Sequence, residues 1–372
     1  MRKLTDGQSF FLNAARYAAA SMVAVYHILA GFFKGIGELP RVAPFMGQLG
    51  YVGVTIFFVL SGFVIAYTVG RKMSEQQGYS LKTYLVERFA RISICLVPAV
   101  GVVALLDLLV VRRFFPDDDL RIWPHIFSTL FVMTGLTGFG EAAQPLPAIL
   151  FMEHIWSLTY EVYLYLLFGL VVISAGPRRL PVGRVVLIAA TLLLLSRLPY
   201  TPLMSYNWLL GALVLVLFRN GITPGGLRAC LGLSGAVLLV AAGVLRLTRH
   251  QPEAQRHWIY VSLVALAFYA LLALFGTVRV GSRLAASAAF LASFSYSMYL
   301  IHFALVGVAY NCLVDLRPLS WQGSGGRVLF LLCSFLLVNV LSFLFGLATE
   351  RHTSRFRRLL LAVVGTPPAA RP

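Results

Sequence analysis

Ionisable side chains lie inside segments that are otherwise apolar enough to cross a membrane. Residues 12–33 carry Arg16 and His27, and two later apolar segments carry Glu161 and His302. A charged side chain within a bilayer costs on the order of 2.5–3.5 kcal/mol. Histidine exchanges protons near neutral pH, and a carboxylate can orient an imidazole. These residue types therefore indicate acid–base or nucleophilic chemistry, with His27, Glu161 and His302 as the catalytic candidates.

Arg16 and His27 are predicted to share one face of a helix. Eleven residues at about 100° each make three turns and about 20° more, with a rise of about 16 Å. We expect both side chains to line one cavity across the membrane, with Arg16 near the cytoplasmic surface. Arg88 and Arg91, one turn apart, would join it there, where guanidinium groups can bind phosphate through paired hydrogen bonds. The sequence thus predicts a basic inner layer and an outer layer of two histidines and a carboxylate.

Each candidate also has a structural explanation that spacing alone leaves open. The arginines can anchor the chain at lipid headgroups, the two histidines can form hydrogen bonds between helices, and Glu161 can be an interfacial residue. Two histidines and a glutamate could hold a metal ion, but no HExxH or other close ligand spacing occurs in the sequence. We therefore expect no metal site. The layering of the candidates favours the functional explanation.

Composition places the chain in a membrane. Of its 372 residues, 59% are hydrophobic and 12% are charged, whereas soluble domains are about one quarter charged. The formal net charge of +17 comes mostly from short basic clusters between apolar segments. That pattern is typical of the positive-inside rule and of contact with anionic headgroups, and not of a nucleic-acid-binding face. We expect anionic membrane lipids as partners and no nucleic acid.

Apolar segments of membrane-spanning length recur along the chain, which predicts an all-α integral membrane protein with about ten transmembrane helices. The predicted spans are residues 12–33, 51–70, 92–111, 154–174, 185–199, 203–218, 228–247, 258–276, 285–311 and 327–348. The distribution of basic residues places both termini in the cytoplasm, and we expect a retained first helix rather than a cleaved signal peptide. Residues 1–348 then form a single transmembrane domain, and residues 349–372 form a basic cytoplasmic tail that is partly disordered.

Three local features refine this topology. Residues 126–139 are short and interrupted by Gly and Thr, so we predict a re-entrant or interfacial segment. The spans at 185–199 and 203–218 are short enough to cross the membrane only in part. Ser61 and Gly62 lie in a segment of small residues, which predicts close packing between helices.

Five segments occur in an order that one family shares. They are the Arg16–His27 pair, GVTIFFVLSGFVI, ERFARI, WSLTYEVYLYLL and SYSMYLIH. Together they resemble the membrane-bound acyltransferase type 3 family over about residues 12–348. The resemblance implies ten membrane helices, acyl-CoA (such as acetyl-CoA) reached from the cytoplasm as the donor, and a hydroxyl acceptor that often lies outside. We therefore expect no permanently bound cofactor, a carbohydrate or lipid-linked glycan as acceptor, and a bacterial inner membrane as the location.

The resemblance also implies roles for the residues that match the family's motifs. Those residues are Arg16, His27, Arg88, Arg91, Glu161, Tyr296 and His302. The arginines and Tyr296 are candidates for substrate binding, as is Trp156 at the start of WSLTYE. The segment LNAAR departs from the LDGLR of many members, so Asn13 and Ala15 take no role from the family. We expect no appended esterase-like domain, and hence direct transfer to the final acceptor or a separate partner protein.

The sequence favours an acyltransferase centred on His27. Its imidazole would deprotonate the acceptor hydroxyl or carry the acyl group, and Glu161 or His302 would orient it or relay the proton. A proton-coupled transporter of a polar or lipid-linked substrate is the alternative, because intramembrane ionisable groups also mark transport pathways. Coupled transporters commonly contain inverted repeats with broken helices in matching positions. No matched halves occur in this sequence, so the enzyme is the preferred interpretation.

Overall fold

All regular elements that the computed structural model describes are helices. The described residues are 3–33, 43–75, 79–106, 108–109, 122–137, 146, 152–173, 181–219, 253–313 and 324–365. The α-helices are α1 (Asp6–Phe33), α2 (Ala43–Glu75), α3 (Leu81–Leu106), α4 (Ile122–Leu130), α5 (Trp156–Val172), α6 (Val182–Ser196), α7 (Thr201–Arg219), α8 (Glu253–Phe275), α9 (Ser282–Ala292), α10 (Ser295–Leu313), α11 (Ser324–Ala348) and α12 (Thr353–Val363). Short 3₁₀ helices at Glu153–Ile155 and Glu350–His352 precede α5 and α12.

Several of these helices can cross a membrane. By length and composition, six helices within the described ranges qualify, and α9 with α10 makes a seventh if that interrupted pair is one span. The six are Gln48–Glu75, Leu81–Leu106, Glu153–Val172, Thr201–Arg219, Trp258–Phe275 and Val328–Val363. The prediction of an all-α membrane protein is therefore confirmed. The number ten, the cytoplasmic termini and the division at residue 348 stay predictions, and the predicted span 228–247 lies outside the described residues.

One compact unit consists of Met1–Ala19, Val52–Tyr79 and Tyr200–Ala292. Its core is apolar and rich in aromatic rings contributed by α1, α2, α7 and α8. The Phe11 ring lies 5.2 Å from that of Phe268 and 5.4 Å from that of Phe275, measured between centroids. Such aromatic pairs add to the stabilisation that burial of their apolar surface provides.

The α2 and α7 helices of this unit approach each other through two glycines. A Cβ atom at Gly62 would lie 2.0 Å from the carbonyl oxygen of Trp208, and one at Gly211 would lie 2.0 Å from that of Val59. Both neighbouring atoms belong to the backbone, so they cannot rotate away. The prediction of close packing at Gly62 is confirmed.

The α1 helix begins with a capping box. The Thr5 N–H donates to Gln8 Oε1 at 3.0 Å, and the Gln8 N–H donates to Thr5 Oγ1 at 3.2 Å. These bonds satisfy two backbone N–H groups at the start of the helix. The Gln8 amide also donates to the carbonyl oxygen of Leu272 at 3.3 Å, which fixes the start of α1 against α8.

The other compact unit consists of Ala20–Tyr51, Ser80–Pro199 and Ser293–Pro372. Its predicted tail is helical where it is described, because Thr353–Val363 forms α12. Arg357 pairs with Glu87 of α3 at 3.8 Å, and the Lys82 ammonium donates to the Val364 carbonyl. Residues 366–372 lie outside the described residues.

The segment predicted at 126–139 contains the second half of α4 and, up to residue 137, a turn that packs on neighbouring elements. The Gly135 backbone has φ of 82°, which suits glycine, and its N–H donates to the Leu146 carbonyl at 2.9 Å. The Thr134 hydroxyl bonds that of Thr159 on α5 at 3.0 Å. These bonds hold the segment beside the start of α5, and its depth in the membrane stays a prediction.

The predicted span at 285–311 consists of two helices rather than one continuous helix. The α9 helix ends at Ala292, and α10 begins at Ser295. A helix N-terminus has N–H groups without intrahelical partners, which are costly at membrane depth. Glu350 supplies the missing acceptor, because its Oε2 accepts from the Ser297 N–H at 3.3 Å and from the Ser297 hydroxyl at 3.0 Å. A carboxylate distant in sequence thus stabilises the interruption.

Candidate active site

Three histidines come together in the second compact unit. His27 comes from α1, His154 from the 3₁₀ helix before α5, and His302 from α10. The His302 ring centroid lies 5.2 Å from that of His27 and 4.8 Å from that of His154, and the His27 and His154 centroids are 6.2 Å apart. We call these residues the histidine cluster. Two of its members were predicted from the sequence, and His154 was missed.

The tautomer of His302 follows from its hydrogen bonds. Its Nδ1 lies 2.9 Å from the carbonyl oxygens of both Met298 and Tyr299. Because a carbonyl oxygen can only accept, Nδ1 carries the hydrogen, and Nε2 of the neutral ring holds the lone pair. This Nε2 is buried and makes no hydrogen bond within the part of the chain that the structure describes. The helix backbone therefore orients this imidazole, a task that a carboxylate performs in many hydrolases.

The main-chain carbonyl of His154 is hydrogen-bonded, whereas its imidazole nitrogens have no hydrogen-bond partner among the described residues. The Tyr299 hydroxyl donates to the His154 carbonyl at 2.8 Å, and the Ser157 hydroxyl lies 2.8 Å from that of Tyr299. The Tyr299 ring also packs edge-on against the imidazole, with centroids 5.2 Å apart. The residue is 6% exposed, and neither ring nitrogen has a hydrogen-bond partner among the described residues. Buried polar groups normally find partners, so this one requires an explanation.

Aromatic rings border the cluster. The Phe303 ring centroid lies 4.4 Å from that of His27 and 5.6 Å from that of His154. Tyr26 contacts His27 edge-on at 4.9 Å. His27 itself is half-buried, whereas His302 is fully buried. The cluster is thus a largely apolar site that contains a few polar atoms, as small-molecule sites commonly are.

Glu161 lies two helical turns beyond His154. Its carboxylate accepts a hydrogen bond from the Tyr165 hydroxyl on the next turn of α5. It also lies near Tyr296 and Tyr299 of α10. Glu161 therefore belongs to a tyrosine-rich layer next to the cluster, and its catalytic role stays a prediction.

The predicted inner arginines lie on α3. The Arg88 guanidinium carbon is 5.7 Å from the centroid of the Tyr84 ring, and its Nε is buried without a hydrogen-bond partner in the described ranges. Arg91, on the next turn, is exposed and lies near Tyr296. The Tyr296 hydroxyl donates to the Ile92 carbonyl at 3.4 Å, which connects α10 to this part of α3. The structure thus brings Arg88, Arg91 and Tyr296 to one region.

Arg16 and Trp156 are two predicted site residues that belong neither to the histidine cluster nor to the region of Arg88, Arg91 and Tyr296. Arg16 and His27 lie on the same continuous helix, but Arg16 belongs to the first compact unit and His27 to the second. Their common cavity stays a prediction. Trp156 is half-buried at the start of α5, where its ring packs edge-on against Tyr160 at 5.9 Å. Its role in substrate binding also stays a prediction.

The chemistry of the cluster is that of imidazole itself. Within the described ranges, no group of three or more His, Cys, Asp or Glu residues has an arrangement that could hold a metal ion. Neutral imidazoles accept a proton at one nitrogen and release one from the other. Three such rings in mutual contact can remove, hold and return protons in a site that excludes most water.

The sequence contained a weak signal for His154. It precedes Glu161 by seven residues, which is about two helical turns, so the two side chains project from similar directions. The Tyr299 that fixes it is 145 residues away in the chain. Because that contact depends on the packing of α10, the spacing alone could not place His154 beside His302.

Comparisons with known proteins agree with the resemblance. The family described as an acyltransferase domain matches residues 9–365. The peptidoglycan O-acetyltransferase OatA of Listeria monocytogenes serovar 1/2a is 26% identical over 163 residues, which are 42% of this chain and 23% of that protein. A Staphylococcus aureus strain COL protein named "Putative O-acetyltransferase" is 22% identical over 165 residues, 44% of this chain and 24% of the relative.

The matched segments thus span about one quarter of the length of these curated relatives. No solved structure matches the chain. The family match, in contrast, covers nearly all of it, from residue 9 to residue 365. The protein is therefore a member of the membrane acyltransferase type 3 family.

Proposed function

We propose that this protein transfers an acetyl group from cytoplasmic acetyl-CoA to a hydroxyl group of an envelope carbohydrate. The histidine cluster is the observation that carries the proposal, because it gathers proton-exchanging groups inside a membrane protein of an acyltransferase family. The names of the relatives support acetyl as the acyl group and peptidoglycan as one class of acceptor. A lipid-linked glycan offers the same hydroxyl chemistry.

His27 is the proposed centre of the reaction. As a general base, it removes the proton of the acceptor hydroxyl, whose oxygen attacks the thioester carbonyl. The carbon–sulfur bond breaks, and the proton passes to the leaving thiolate of CoA. As a nucleophile, His27 carries the acyl group before the hydroxyl attacks. In both roles His302 can relay a proton. Its ring centroid lies 5.2 Å from that of His27, and its Nε2 holds a lone pair.

The donor is proposed to bind through the inner arginines. Arg88 and Arg91 lie one turn apart on α3, and the buried Nε of Arg88 has unused hydrogen-bonding capacity among the described residues. Guanidinium groups bind phosphate oxygens through paired hydrogen bonds, which suits the phosphates of CoA. Arg16 is also a proposed substrate-binding residue. No bound cofactor is required, because acetyl-CoA enters and leaves as a substrate.

Glu161, Tyr296 and Trp156 complete the proposed site. Tyr296 lies near both Glu161 and Arg91. These residues therefore connect the tyrosine-rich layer to the arginines along the proposed path of the acyl group. Trp156 offers an aromatic face, to which a sugar ring can bind.

Anionic lipids are proposed partners at α12, and the bacterial inner membrane is the proposed location. The α12 helix has no buried residue, and Leu359 and Val363 are 66% and 84% exposed. Arg355 and Arg358 on the same helix are also exposed. An amphipathic basic helix of this kind can lie at the headgroups, with its apolar side chains in the acyl region.

The test uses membranes that contain the protein, radiolabelled acetyl-CoA and peptidoglycan strands from which mild base has removed existing esters. We expect base-labile label on the glycan, and His27→Ala or His27→Gln to lower kcat by about 10²–10⁴-fold. Glutamine forms hydrogen bonds but cannot exchange protons. His352→Gln is the matched control, because that histidine lies in the 3₁₀ helix before α12.

The outcomes separate the candidate functions. His27 variants with activity near that of the wild type would remove this residue from the mechanism. Proton-gradient-dependent uptake by vesicles, without ester formation by the wild type on any glycan offered, would favour the transporter. The family match favours the enzyme.

A further inference from the structure

We propose that His154 is a third catalytic histidine, which takes the place of His27 as the base: it accepts the proton of the acceptor hydroxyl on one ring nitrogen and releases a proton from the other to His302 Nε2. His27 then delivers a proton to the CoA thiolate. The inference deepens the proposed acyl transfer and rests on it. It assigns a reaction step to a residue that no family motif in the sequence identified.

His154 has ring nitrogens whose hydrogen-bonding capacity is unused among the described residues. His154 is 94% buried, and neither ring nitrogen has a partner among the described residues, although its main chain is bonded. A buried polar group without a partner costs about 1–3 kcal/mol. Phenylalanine would fill a similar space without that cost. A polar ring at this position is therefore best explained by a ligand that uses its nitrogens.

The neighbouring His302 has one ring nitrogen that donates a hydrogen bond and one that can only accept. His302 Nδ1 carries the hydrogen that Met298 and Tyr299 accept, so Nε2 can only accept. The closest contact between rings in the cluster joins His302 to His154, with centroids 4.8 Å apart. No hydrogen bond joins the two rings in this structure, and an N–H of His154 is the donor that we infer for this Nε2 during the reaction. The other His154 nitrogen then holds a lone pair, which can accept from a hydroxyl.

The step balances without any further reactant. The O–H bond of the acceptor breaks and an N–H bond forms on His154, while its other N–H bond breaks and one forms on His302 Nε2. The positive charge then resides on His302, where the carbonyl dipoles of Met298 and Tyr299 stabilise it. The proton reaches the CoA thiolate through His27, whose ring contacts that of His302.

Tyr299 and Ser157 position the main chain of His154. The Tyr299 hydroxyl donates to the His154 carbonyl at 2.8 Å, and the Ser157 hydroxyl lies 2.8 Å from the Tyr299 hydroxyl. The Tyr299 carbonyl also binds His302 Nδ1. One residue of α10 thus fixes the main chain of His154 and the ring of His302, which makes Tyr299 a positioning residue. Catalytic groups need such support to stay within reach of each other.

The test compares His154→Gln, His154→Asn and His154→Phe with the wild type in the same glycan assay. We expect all three to lower kcat by about 10²-fold or more, because amides cannot relay a proton and phenylalanine cannot bond at all. The KM for acetyl-CoA should change by less than about threefold, since the donor is held elsewhere. The unfolding temperature in detergent should stay near that of the wild type for Gln and Asn.

Tyr299→Phe is the second variant, and it keeps all three rings. It should lower kcat by about tenfold, because the variant removes the hydroxyl that bonds the His154 carbonyl and Ser157. An active wild type with His154→Gln or His154→Asn within threefold of its kcat would overturn the inference and leave the proposed function intact. A wild type that forms no glycan ester would instead overturn the proposed function, and the relay with it.

Discussion

The α2–α7 contact of the first unit and the histidine cluster of the second are both buried, but they use burial in opposite ways. At the α2–α7 contact, each glycine faces a backbone oxygen only 2.0 Å from the position of an added Cβ atom. At the cluster, three ring nitrogens of His154 and His302 are buried without hydrogen-bond partners among the described residues. Dispersion and close packing stabilise the first region, whereas the second retains polar atoms that lower stability. The first should therefore respond to side-chain size and the second to side-chain chemistry.

The largest expected effect tests the response to size. Gly211→Ala places a methyl group 2.0 Å from the Val59 carbonyl oxygen and 3.0 Å from the Phe63 nitrogen. Because these are backbone atoms, α2 and α7 must separate, and we expect a loss of more than about 4–5 kcal/mol or no folded protein. Protein yield and the unfolding temperature in detergent micelles measure this loss.

Gly101→Ala is the matched control on α3. Nothing lies within 4 Å of its added Cβ, so alanine should stabilise the helix by about 0.5–1 kcal/mol. If the two alanine variants had equal unfolding temperatures, the close approach of α2 and α7 would be refuted.

The second effect tests the response to chemistry. His302→Gln replaces the imidazole, and with it the lone pair at Nε2, by an amide of similar volume that forms hydrogen bonds but cannot exchange protons. We expect kcat for acyl transfer to fall by about 10²-fold, or about 2.7 kcal/mol of activation free energy. The free energy of unfolding should change by less than about 1.5 kcal/mol, because the side-chain volume is nearly conserved.

Thr68→Val is the matched control in the first unit. The Thr68 hydroxyl also bonds a carbonyl of its own helix, that of Val64, at 2.8 Å. Both variants thus alter a bond between a side chain and its own helix, yet the valine variant should keep its full kcat. Equal losses of activity in the two variants would remove the distinction between the regions.

The sequence predicted those features that depend on neighbours in the same helix. The spacing of Arg16 and His27, the small residue Gly62 and the apolar length of most spans all follow from helical geometry. It did not predict the end of α9 at Ala292, because the residues there are apolar or small and include no proline or glycine. It also missed His154, whose supporting hydrogen bond comes from a residue 145 positions away. Both failures concern contacts that only the packed helices create.

The smallest expected effect concerns the helix interruption itself. Glu350→Ala leaves the N–H and hydroxyl of Ser297 without the carboxylate that accepts from both, at 3.3 and 3.0 Å and 53 positions away in the chain. We expect a loss of about 1–3 kcal/mol in the free energy of unfolding, and a smaller loss for Glu350→Gln, which keeps an acceptor oxygen. Glu75→Ala is the matched control, because its pair with Arg71 is 46% exposed on both sides and should contribute less than about 0.5 kcal/mol. Equal unfolding temperatures for the Glu350→Ala and Glu75→Ala variants would show that α10 begins where it does without help from Glu350. A drop confined to Glu350→Ala would show that a distant carboxylate, and not the local sequence, stabilises the start of the helix that carries His302.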